Sequence, residues 1–132
     1  MNFTYLIFVL VLVCNQAYAT NALQQLQREY QQQGVGEVNP DAGKKQWESK
    51  HMPKQKTVQR SCTSCHGHDP RQDGKHAKTG KLIEPMAVSV NKNRFTKVKK
   101  IKKWFKRNCK WTFGRECSAQ EQADILAYLR NQ

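Results

Sequence analysis

Apolar residues recur every three or four positions in three stretches of the chain, and this spacing predicts helices. A further helix is predicted where Asp41 follows a break over residues 34–40. The predicted helices cover residues 21–33, 41–50 and 96–108, and a last segment that follows Ser118. By contrast, residues 67–93 are rich in Gly, Pro, Asp and Lys and are only weakly periodic. A segment of that length without regular structure is unusual in a compact domain. The pattern therefore predicts a single all-α domain whose core includes something besides protein.

The two C-terminal helices carry the clearest local signals. The helix over 96–108 has an apolar stripe, formed by Val98, Ile101, Phe105 and Asn108, and lysines cover much of the remaining surface. The last helix opens with Ser118-x-x-Glu121, the spacing of a capping box. Earlier in the chain, Asp41 is placed to cap or complement the N-terminus of the second helix.

The most specific chemical signal lies between these helices, at residues 62–66. The order Cys62-x-x-Cys65-His66 is the attachment signal for a c-type haem. Two thiols at this spacing add across the two vinyl groups of one porphyrin, and the histidine becomes the proximal ligand of the iron. The sequence therefore predicts one covalent haem c with its iron.

Other uses of a C-x-x-C pair fit this chain less well. A zinc site would need a second matching pair, whereas the downstream cysteines, Cys109 and Cys117, are spaced too widely. A redox dithiol usually lies in a βαβ unit, and no alternating run flanks residues 62–66. A cationic binding protein with a structural metal stays open as an alternative.

The N-terminal residues predict export. Residues 6–13 form an apolar run and Ala17-Tyr18-Ala19 is a small-x-small cleavage site, so residues 1–19 are interpreted as a signal peptide. The run is too short for a transmembrane helix, and we expect no stable membrane insertion after cleavage. Residues 20–132 would then form a monohaem cytochrome c domain in the periplasm.

Cysteine usage agrees with export. Of five cysteines, Cys14 leaves with the signal peptide, and Cys62 and Cys65 bind the haem. Cys109 and Cys117 remain, and in an oxidising compartment they are predicted to form a disulfide.

Several motifs resemble a known family of haem proteins. Gly43 and Trp47 lie one turn apart, as in the crossed N- and C-terminal helices of the class I cytochrome c fold. From the haem motif onward the chain reads HGHD at 66–69, KTGK at 78–81, IEP at 83–85, RFT at 94–96, KWFKRNC at 103–109 and GREC at 114–117. In this order the segments resemble the sphaeroides haem protein family, which are unusual oxygen-binding monohaem cytochromes c.

The resemblance implies roles for particular residues. In that family, the asparagine directly before the first disulfide cysteine is the sixth iron ligand of the oxidised protein, and the matching residue is Asn108. The family disulfide maps onto Cys109 and Cys117. One departure is Met86, where the relatives tend to have leucine.

The residues by themselves leave the sixth ligand open. Asn108 lies on an apolar stripe, where a buried amide without a partner costs about 1–3 kcal/mol, and an iron atom is one possible partner. Alternatively, Asn108 simply ends its helix. Met86 is the rival because methionine is the usual second ligand of electron-carrying cytochromes c, but it lies only 20 positions after His66, against 42 for Asn108. The resemblance favours Asn108.

Other side chains are predicted to have ordinary roles. Met52 precedes the haem motif and is a weaker candidate ligand. His51, His68 and His76 are candidate imidazole ligands but are expected on polar surface loops. Trp104, one turn before Asn108, is expected in the core, with the distal side of the iron as its alternative position.

The ligand decides the predicted chemistry. An amide oxygen is a hard, weak ligand that suits Fe(III), so its bond should open on reduction and leave a site for O₂, NO or CO. We therefore expect an electron-transfer protein that binds these small gases when reduced. The alternatives are a small haem enzyme that reduces O₂, peroxide or NO, and an ordinary His/Met electron carrier that uses Met86.

The charge of the chain predicts the kind of partner. The formal net charge is +13, and ten basic residues lie between Lys92 and Lys110. Such a surface near a haem favours an acidic redox partner, and in the resembling family the proposed partner is a dihaem cytochrome c. Export and the absence of interleaved aromatic residues argue against nucleic acid.

Overall fold

Helices form most of the part of the chain that the structure describes. The computed structural model describes residues 17–54 and 56–132. In chain order the elements are α1 (Ala17–Gln32), α2 (Pro40–Glu48), α3 (Thr63–His66), β1 (Gly74–Lys75), β2 (Leu82–Ile83), α4 (Val98–Phe113) and α5 (Ala119–Arg130). Among these residues, no helix is both long and apolar enough to cross a bilayer. The apolar run over 6–13 and Cys14 lie outside the described residues, so the signal peptide stays a prediction.

Helices α2 and α5 cross in close contact, which confirms the helix pair predicted from Gly43 and Trp47. A Cβ atom at Gly43 would lie 2.0 Å from the backbone oxygen of Asp124, so a side chain here would force the helices apart. Trp47 is 3% exposed, and its ring centroid lies 6.2 Å from that of Tyr128. The N–H of Asn39 donates to the Asp124 carboxylate at 2.8 Å and fixes the start of α2 on α5.

Helix α5 contributes to both clusters of the hydrophobic core. One cluster joins α1, α4 and α5 through Leu26, Tyr30, Ile101, Ala123 and Leu126. The other joins α2 and α5 through Trp47, Ile125, Tyr128 and Leu129. All residues from 123 to 129 are buried, so α5 is covered on every side rather than along one stripe.

Helix α4 is longer than the sequence pattern predicts. It continues past Asn108 to Phe113 and ends at Gly114, whose φ of 74° is left-handed and favours glycine. Asn108 therefore lies inside the helix, and the interpretation that it ends the helix is wrong. The disulfide loop that follows begins within the last turns of α4 rather than after it.

The predicted signals at the other helix starts are mostly confirmed. Ser118 and Glu121 form the capping box of α5, with each side chain bonded to the backbone N–H of the other. At α2 the N-cap is Asn39, whose side chain accepts from the N–H of Asp41 and of Ala42. Asp41 complements the first turn of α2 and does not cap it.

The segment over 67–93 contains a short antiparallel ladder that the sequence pattern did not predict. Gly74 pairs with Ile83 and Lys75 pairs with Leu82. Strands of two residues are too short to show the alternation that identifies a strand in a sequence. The domain is therefore mostly helical with a small hairpin, and not purely α.

Candidate haem site

Residues 62–66 form one helical turn at the centre of the candidate site. Helix α3 begins directly after Cys62 and includes His66. The N–H of Ser61 donates to the hydroxyl of Ser64 at 3.0 Å, which holds the start of the turn. Residues three apart on a helical turn face the same side. Cys62 and Cys65 are therefore arranged for joint attachment to one porphyrin.

His66 is held by the core of the α2–α5 pair. Its ring centroid lies 5.2 Å from that of Trp47, and Nε1 of Trp47 donates to the carbonyl of Gly67 at 3.3 Å. Burial, and then the charge of Arg94, lower the pKa of His66 to about 4. The imidazole is therefore neutral at pH 7, which is the form that binds a metal. Its Nδ1 is buried without a hydrogen-bond partner among the described residues, so the protein by itself leaves the ring unsatisfied.

The two cysteines of the motif have different surroundings. Cys62 packs against the α2–α5 core, and burial raises the pKa of its thiol to about 12. A redox dithiol needs a lowered pKa, so this environment does not suit one. The sulfur of Cys65 accepts a hydrogen bond from the N–H of Ala77 at 3.3 Å. A Cβ atom at Gly74 would lie 2.3 Å from the Cys65 carbonyl oxygen, so the hairpin packs closely on α3.

Arg94 places a half-buried positive charge near His66. Its Nε donates to the carbonyl of Pro85 at 2.7 Å, and its Nη2 donates to that of Glu84. Burial lowers the pKa of Arg94. Within the described part of the chain, no carboxylate lies within ion-pair distance of this guanidinium. A partly buried cation without an anion is unfavourable, and a haem brings two propionates that could supply one.

Asn108 and Trp104 lie one turn apart on the exposed surface of α4. Asn108 is exposed, so the argument from a buried amide is wrong, and its assignment as a ligand stays a prediction that rests on position and resemblance. Trp104 is 44% exposed, with the guanidinium of Arg107 5.0 Å from its ring centroid, so the expected core position is also wrong. A large exposed ring beside an amide is a surface that a flat apolar cofactor can cover.

Met86 occupies a different environment. Its side chain packs on the core cluster that contains Trp47, and its N–H donates to the carbonyl of Pro70 at 2.8 Å. His66 contacts the same tryptophan. Phe105 of α4 packs on the same cluster, so this contact does not separate Met86 from Asn108 as a candidate ligand.

The remaining candidate ligands are separate from the motif or exposed. His68 and His76 are exposed, as predicted, and Met52 is 55% exposed. The prediction for His51 is wrong, because it is half-buried with its ring centroid 4.3 Å from that of Phe113. Burial, and then the charge of Arg115, lower the pKa of His51.

The described residues contain no cluster of side chains for a metal site without haem. Among residues 17–54 and 56–132, no group of three or more His, Cys, Asp or Glu side chains is placed to hold an ion. The alternative of a cationic protein with a structural metal therefore lacks a candidate site there.

A disulfide joins α4 to the loop before α5. The sulfurs of Cys109 and Cys117 lie 1.98 Å apart, and their Cα atoms 5.6 Å apart. Arg60, two residues before the first cysteine of the haem motif, donates to the carbonyl of Trp111 at 3.2 Å and stacks over its ring at 4.4 Å. The end of α4 thereby supports the segment that leads into residues 62–66.

Comparisons with known proteins identify the family. The family described as Domain of unknown function (DUF1924) matches residues 33–129. The chain belongs to this family. The fold of this DUF1924 protein is similar to that of oxidised SHP, an oxygen-binding cytochrome c, with a TM-score of 0.75 and 36% identity over 83% of this chain and 96% of that chain. Oxidised cytochrome c'' from Methylophilus methylotrophus has a TM-score of 0.72 and 28% identity over 89% and 96% of the two chains.

Curated relatives of the DUF1924 protein have the same names. The cytochrome c-type protein SHP of Cereibacter sphaeroides is 46% identical over 72 residues, which are 54% of this chain and 55% of the relative. Cytochrome c'' of Methylophilus methylotrophus is 42% identical over 69 residues, 52% of this chain and 48% of the relative. The chain thus spans about half the length of the curated relatives it matches. The resemblance to the sphaeroides haem protein family is confirmed, and the relatives are c-type cytochromes.

The residues present fit the cofactor that this family implies, a covalent haem c. The paired cysteines lie on one helical turn and are followed by a neutral, unsatisfied histidine. Near His66, Arg94 is half-buried without an anion, and Trp104 is exposed on α4. Propionates would supply the anion that the arginine lacks, and a porphyrin would cover the exposed tryptophan.

Three contributors to the site were not predicted from the sequence. Trp47 was expected to fix the helix crossing, and it also contacts His66 and Gly67. Arg94 was counted with the surface charges, although its position in an Arg-Phe-Thr segment of the resembling family was a usable signal. Gly74 had no sequence signal beyond being a glycine, because its role depends on the approach of Cys65.

Proposed function

We propose that this protein is a periplasmic monohaem cytochrome c that transfers electrons and binds O₂, NO or CO in its reduced state. The proposal rests on the helical turn over 62–66, which has two cysteines on one side and a neutral His66 in contact with Trp47. The cytochrome c-type relatives support the same conclusion.

The residues of this chain have distinct tasks in the proposal. Cys62 and Cys65 hold the haem through thioethers, and His66 binds its iron from the proximal side. When bound, the haem supplies one-electron chemistry at the iron and a coordination position for a gas. Arg94 provides a positive charge for a propionate.

Asn108 is the proposed redox-dependent ligand. Asn108 lies within α4, one turn from Trp104, and its side chain is exposed. The side chain is therefore free to reach a cofactor that covers this surface. An amide oxygen is a hard donor that favours ferric iron, so we expect Asn108 to bind in the oxidised protein and leave on reduction. The solution structure of Methylophilus methylotrophus cytochrome c'' is described as giving insight into haem-ligand detachment, and SHP is described as oxygen-binding. Both descriptions support a ligand that leaves.

Export, the disulfide and an acidic partner belong to the same proposal. A signal peptide over 1–19 would deliver the chain to an oxidising compartment, where the Cys109–Cys117 disulfide is stable. The formal net charge of +13 favours an acidic redox protein as partner, such as a dihaem cytochrome c.

Spectra of the holoprotein test the ligand assignment. Asn108→Ala should change the absorption bands of the oxidised protein, because the proposed sixth ligand is lost. The reduced wild-type protein should be five-coordinate and bind CO readily. The matched control is Met86→Leu, which should leave both oxidised and reduced spectra as in the wild type, because leucine can fill the same place against the core cluster and the proposed ligand is retained.

Two results would contradict this assignment. One is an Asn108→Ala variant with unaltered bands in both oxidation states. The other is a wild-type protein that stays six-coordinate when reduced and reacts with CO only after Met86→Leu, which would show the ordinary His/Met carrier. Turnover of peroxide or NO with a reduced donor would instead support the small haem enzyme.

A further inference from the structure

The hairpin over residues 74–83 is the exposed element most directly attached to the haem motif. The N–H of Ala77 donates to the sulfur of Cys65 at 3.3 Å. Gly74 approaches the Cys65 carbonyl so closely that a Cβ atom would lie 2.3 Å from it. Because the Cys65 sulfur would be bonded to the porphyrin edge, the hairpin lies within one hydrogen bond of an atom attached to the haem.

The surface of this hairpin is positively charged and carries no carboxylate. Lys75, Lys78 and Lys81 are all exposed, and residues 74–83 contain no Asp or Glu. Within the described part of the chain, none of the three lysines forms an ion pair. Leu82 is 65% exposed and pairs with Lys75 across the ladder, so an apolar side chain lies among the cations.

The lysines of α4 are more numerous but less suited to electron exchange. Lys102 pairs with Glu29, and both Lys106 and Lys110 lie within 4 Å of Glu116, so part of their charge is neutralised. Lys99 lies nine residues before Asn108, or about two and a half helical turns, and Lys103 lies five residues before it, or about one and a half turns. Both lysines therefore face away from Asn108, towards the other side of the helix. If Asn108 faces the iron, these lysines lie behind the full width of a helix, which is about 10 Å.

We propose that the 74–83 hairpin, and not the lysine face of α4, is the surface on which an acidic electron-transfer protein docks. Electron tunnelling weakens steeply with distance, so a partner gains most by binding next to the atom that joins protein and porphyrin. Unpaired lysines around an apolar residue attract an acidic surface and still allow rapid dissociation. The inference rests on the proposed haem attachment at Cys65 and adds the place of electron exchange.

Two triple variants with the same change in net charge test the proposal. Lys75→Gln, Lys78→Gln and Lys81→Gln remove the hairpin charges, and Lys99→Gln, Lys103→Gln and Lys106→Gln remove three charges from α4. The reduced holoprotein is oxidised anaerobically by ferricyanide, an anion, or by tris(phenanthroline)cobalt(III), a cation, and each reagent takes one electron. An ionic strength of about 0.1 M limits charge effects to about 10 Å, so only charges near the contact matter.

The hairpin triple variant should react about tenfold more slowly with ferricyanide and faster with the cobalt complex, because three cations near the approaching reagent are lost. The α4 triple variant should change either rate by less than about twofold. Polyglutamate, an acidic polypeptide, should inhibit ferricyanide oxidation of the wild type more than that of the hairpin variant. Unchanged visible spectra verify that each variant is folded, and the single variant Lys78→Gln serves if the triple variant is not.

Equal effects of the two triple variants, or a larger effect of the α4 variant, would overturn the hairpin proposal and leave the proposed function intact. A protein that acquires no covalent haem, or that reacts with neither oxidant, would overturn both the hairpin proposal and the proposed function.

Discussion

At the scale of single residues, burial decides which chemistry the haem motif can perform. His66 is neutral at pH 7 because burial lowers its pKa to about 4, so no proton has to leave before it binds a metal. Burial of Cys62 raises the pKa of its thiol to about 12 and argues against dithiol chemistry. Both effects come from the same neighbourhood, the core face of α2 and α5 around Trp47.

Gly43 is the residue whose replacement we expect to be most destructive outside the motif. In Gly43→Ala the new methyl group would lie 2.0 Å from the backbone oxygen of Asp124, and backbone cannot move aside as a flexible side chain can. We expect the free energy of unfolding to fall by about 3 kcal/mol, in the range for overpacked sites. Urea unfolding of the holoprotein measures this change.

The matched control for that substitution is Gly36→Ala. Its Cβ atom would meet only Oε1 of Gln120, at 3.9 Å. Stability should therefore stay within about 1 kcal/mol of the wild type or rise slightly, because alanine restricts the unfolded chain. A Gly43→Ala variant as stable as this control would show that α2 and α5 can move apart without loss of stability, which would contradict the prediction.

At the scale of elements, the ends of the helices determine where functional residues lie. Because α4 continues to Phe113, Asn108 is on a rigid helix and not in a loop, and the disulfide begins inside the same helix. Helix α5 begins at a complete capping box whose Glu121 also receives two hydrogen bonds from Arg115, at 2.7 and 2.8 Å. The start of α5 is thus tied to the loop that the disulfide closes.

Glu121→Ala should remove about 1 kcal/mol of stability at pH 7, because a capping box and its charged partner are lost. Hydrogen bonds from Arg115, and then from the Ser118 backbone, hold the pKa of Glu121 below its ordinary value of 4.5. A carboxyl with a lowered pKa in the folded state stabilises the fold above its unfolded pKa, and this contribution disappears as the pH falls through the folded value.

The stability difference between wild type and Glu121→Ala should therefore be constant above about pH 5 and shrink as the pH falls below 4.5. Thermal unfolding at several pH values measures it. Glu37→Ala, which replaces an exposed carboxylate, is the control and should differ from wild type by less than about 0.5 kcal/mol. A Glu121→Ala difference that persists unchanged at pH 3 would show that its charge is irrelevant.

At the scale of the whole molecule, a disulfide adds a covalent link between α4 and the loop before α5, two parts that also meet in the core. The core joins α1, α4 and α5 on one side and α2 and α5 on the other. The Cys109–Cys117 disulfide fixes the end of α4, where Trp111 and Phe113 pack on Arg60 and His51. The segment leading into the haem motif thus depends on a loop that is distant in sequence.

Replacing both cysteines of the disulfide by serine should lower the free energy of unfolding by about 2.5 kcal/mol, the value for a loop of this short length. Amide hydrogen exchange should also become faster in residues 51–60, because Trp111 and Phe113 lose their fixed position. The control Lys110→Gln removes the exposed ion pair with Glu116 and keeps the disulfide. Exchange in residues 51–60 that does not respond to loss of the disulfide would contradict the proposed support.

The sequence alone determined the features that depend on residues close together in the chain. The haem motif, the Gly43–Trp47 pair and the capping box at Ser118 are all readable because their chemistry or geometry is set by fixed spacing. The predicted end of α4 was wrong because the apolar stripe was followed only to Asn108, whereas Gly114, a readable signal for the end of a helix, lies further along the chain. The hairpin was missed because two-residue strands have no period.

Only the tertiary structure decided how distant residues combine at the site. Contact of Trp47 with His66, the nearness of Arg94 to the same histidine and the approach of the hairpin to Cys65 all follow from how helices and loops pack. The same packing places Met86 on the core cluster and leaves Asn108 exposed. These contacts depend on the distances between side chains and on their burial in the folded protein. The spacing of residues along the chain does not specify either, because the free energy of packing is shared among many weak contacts.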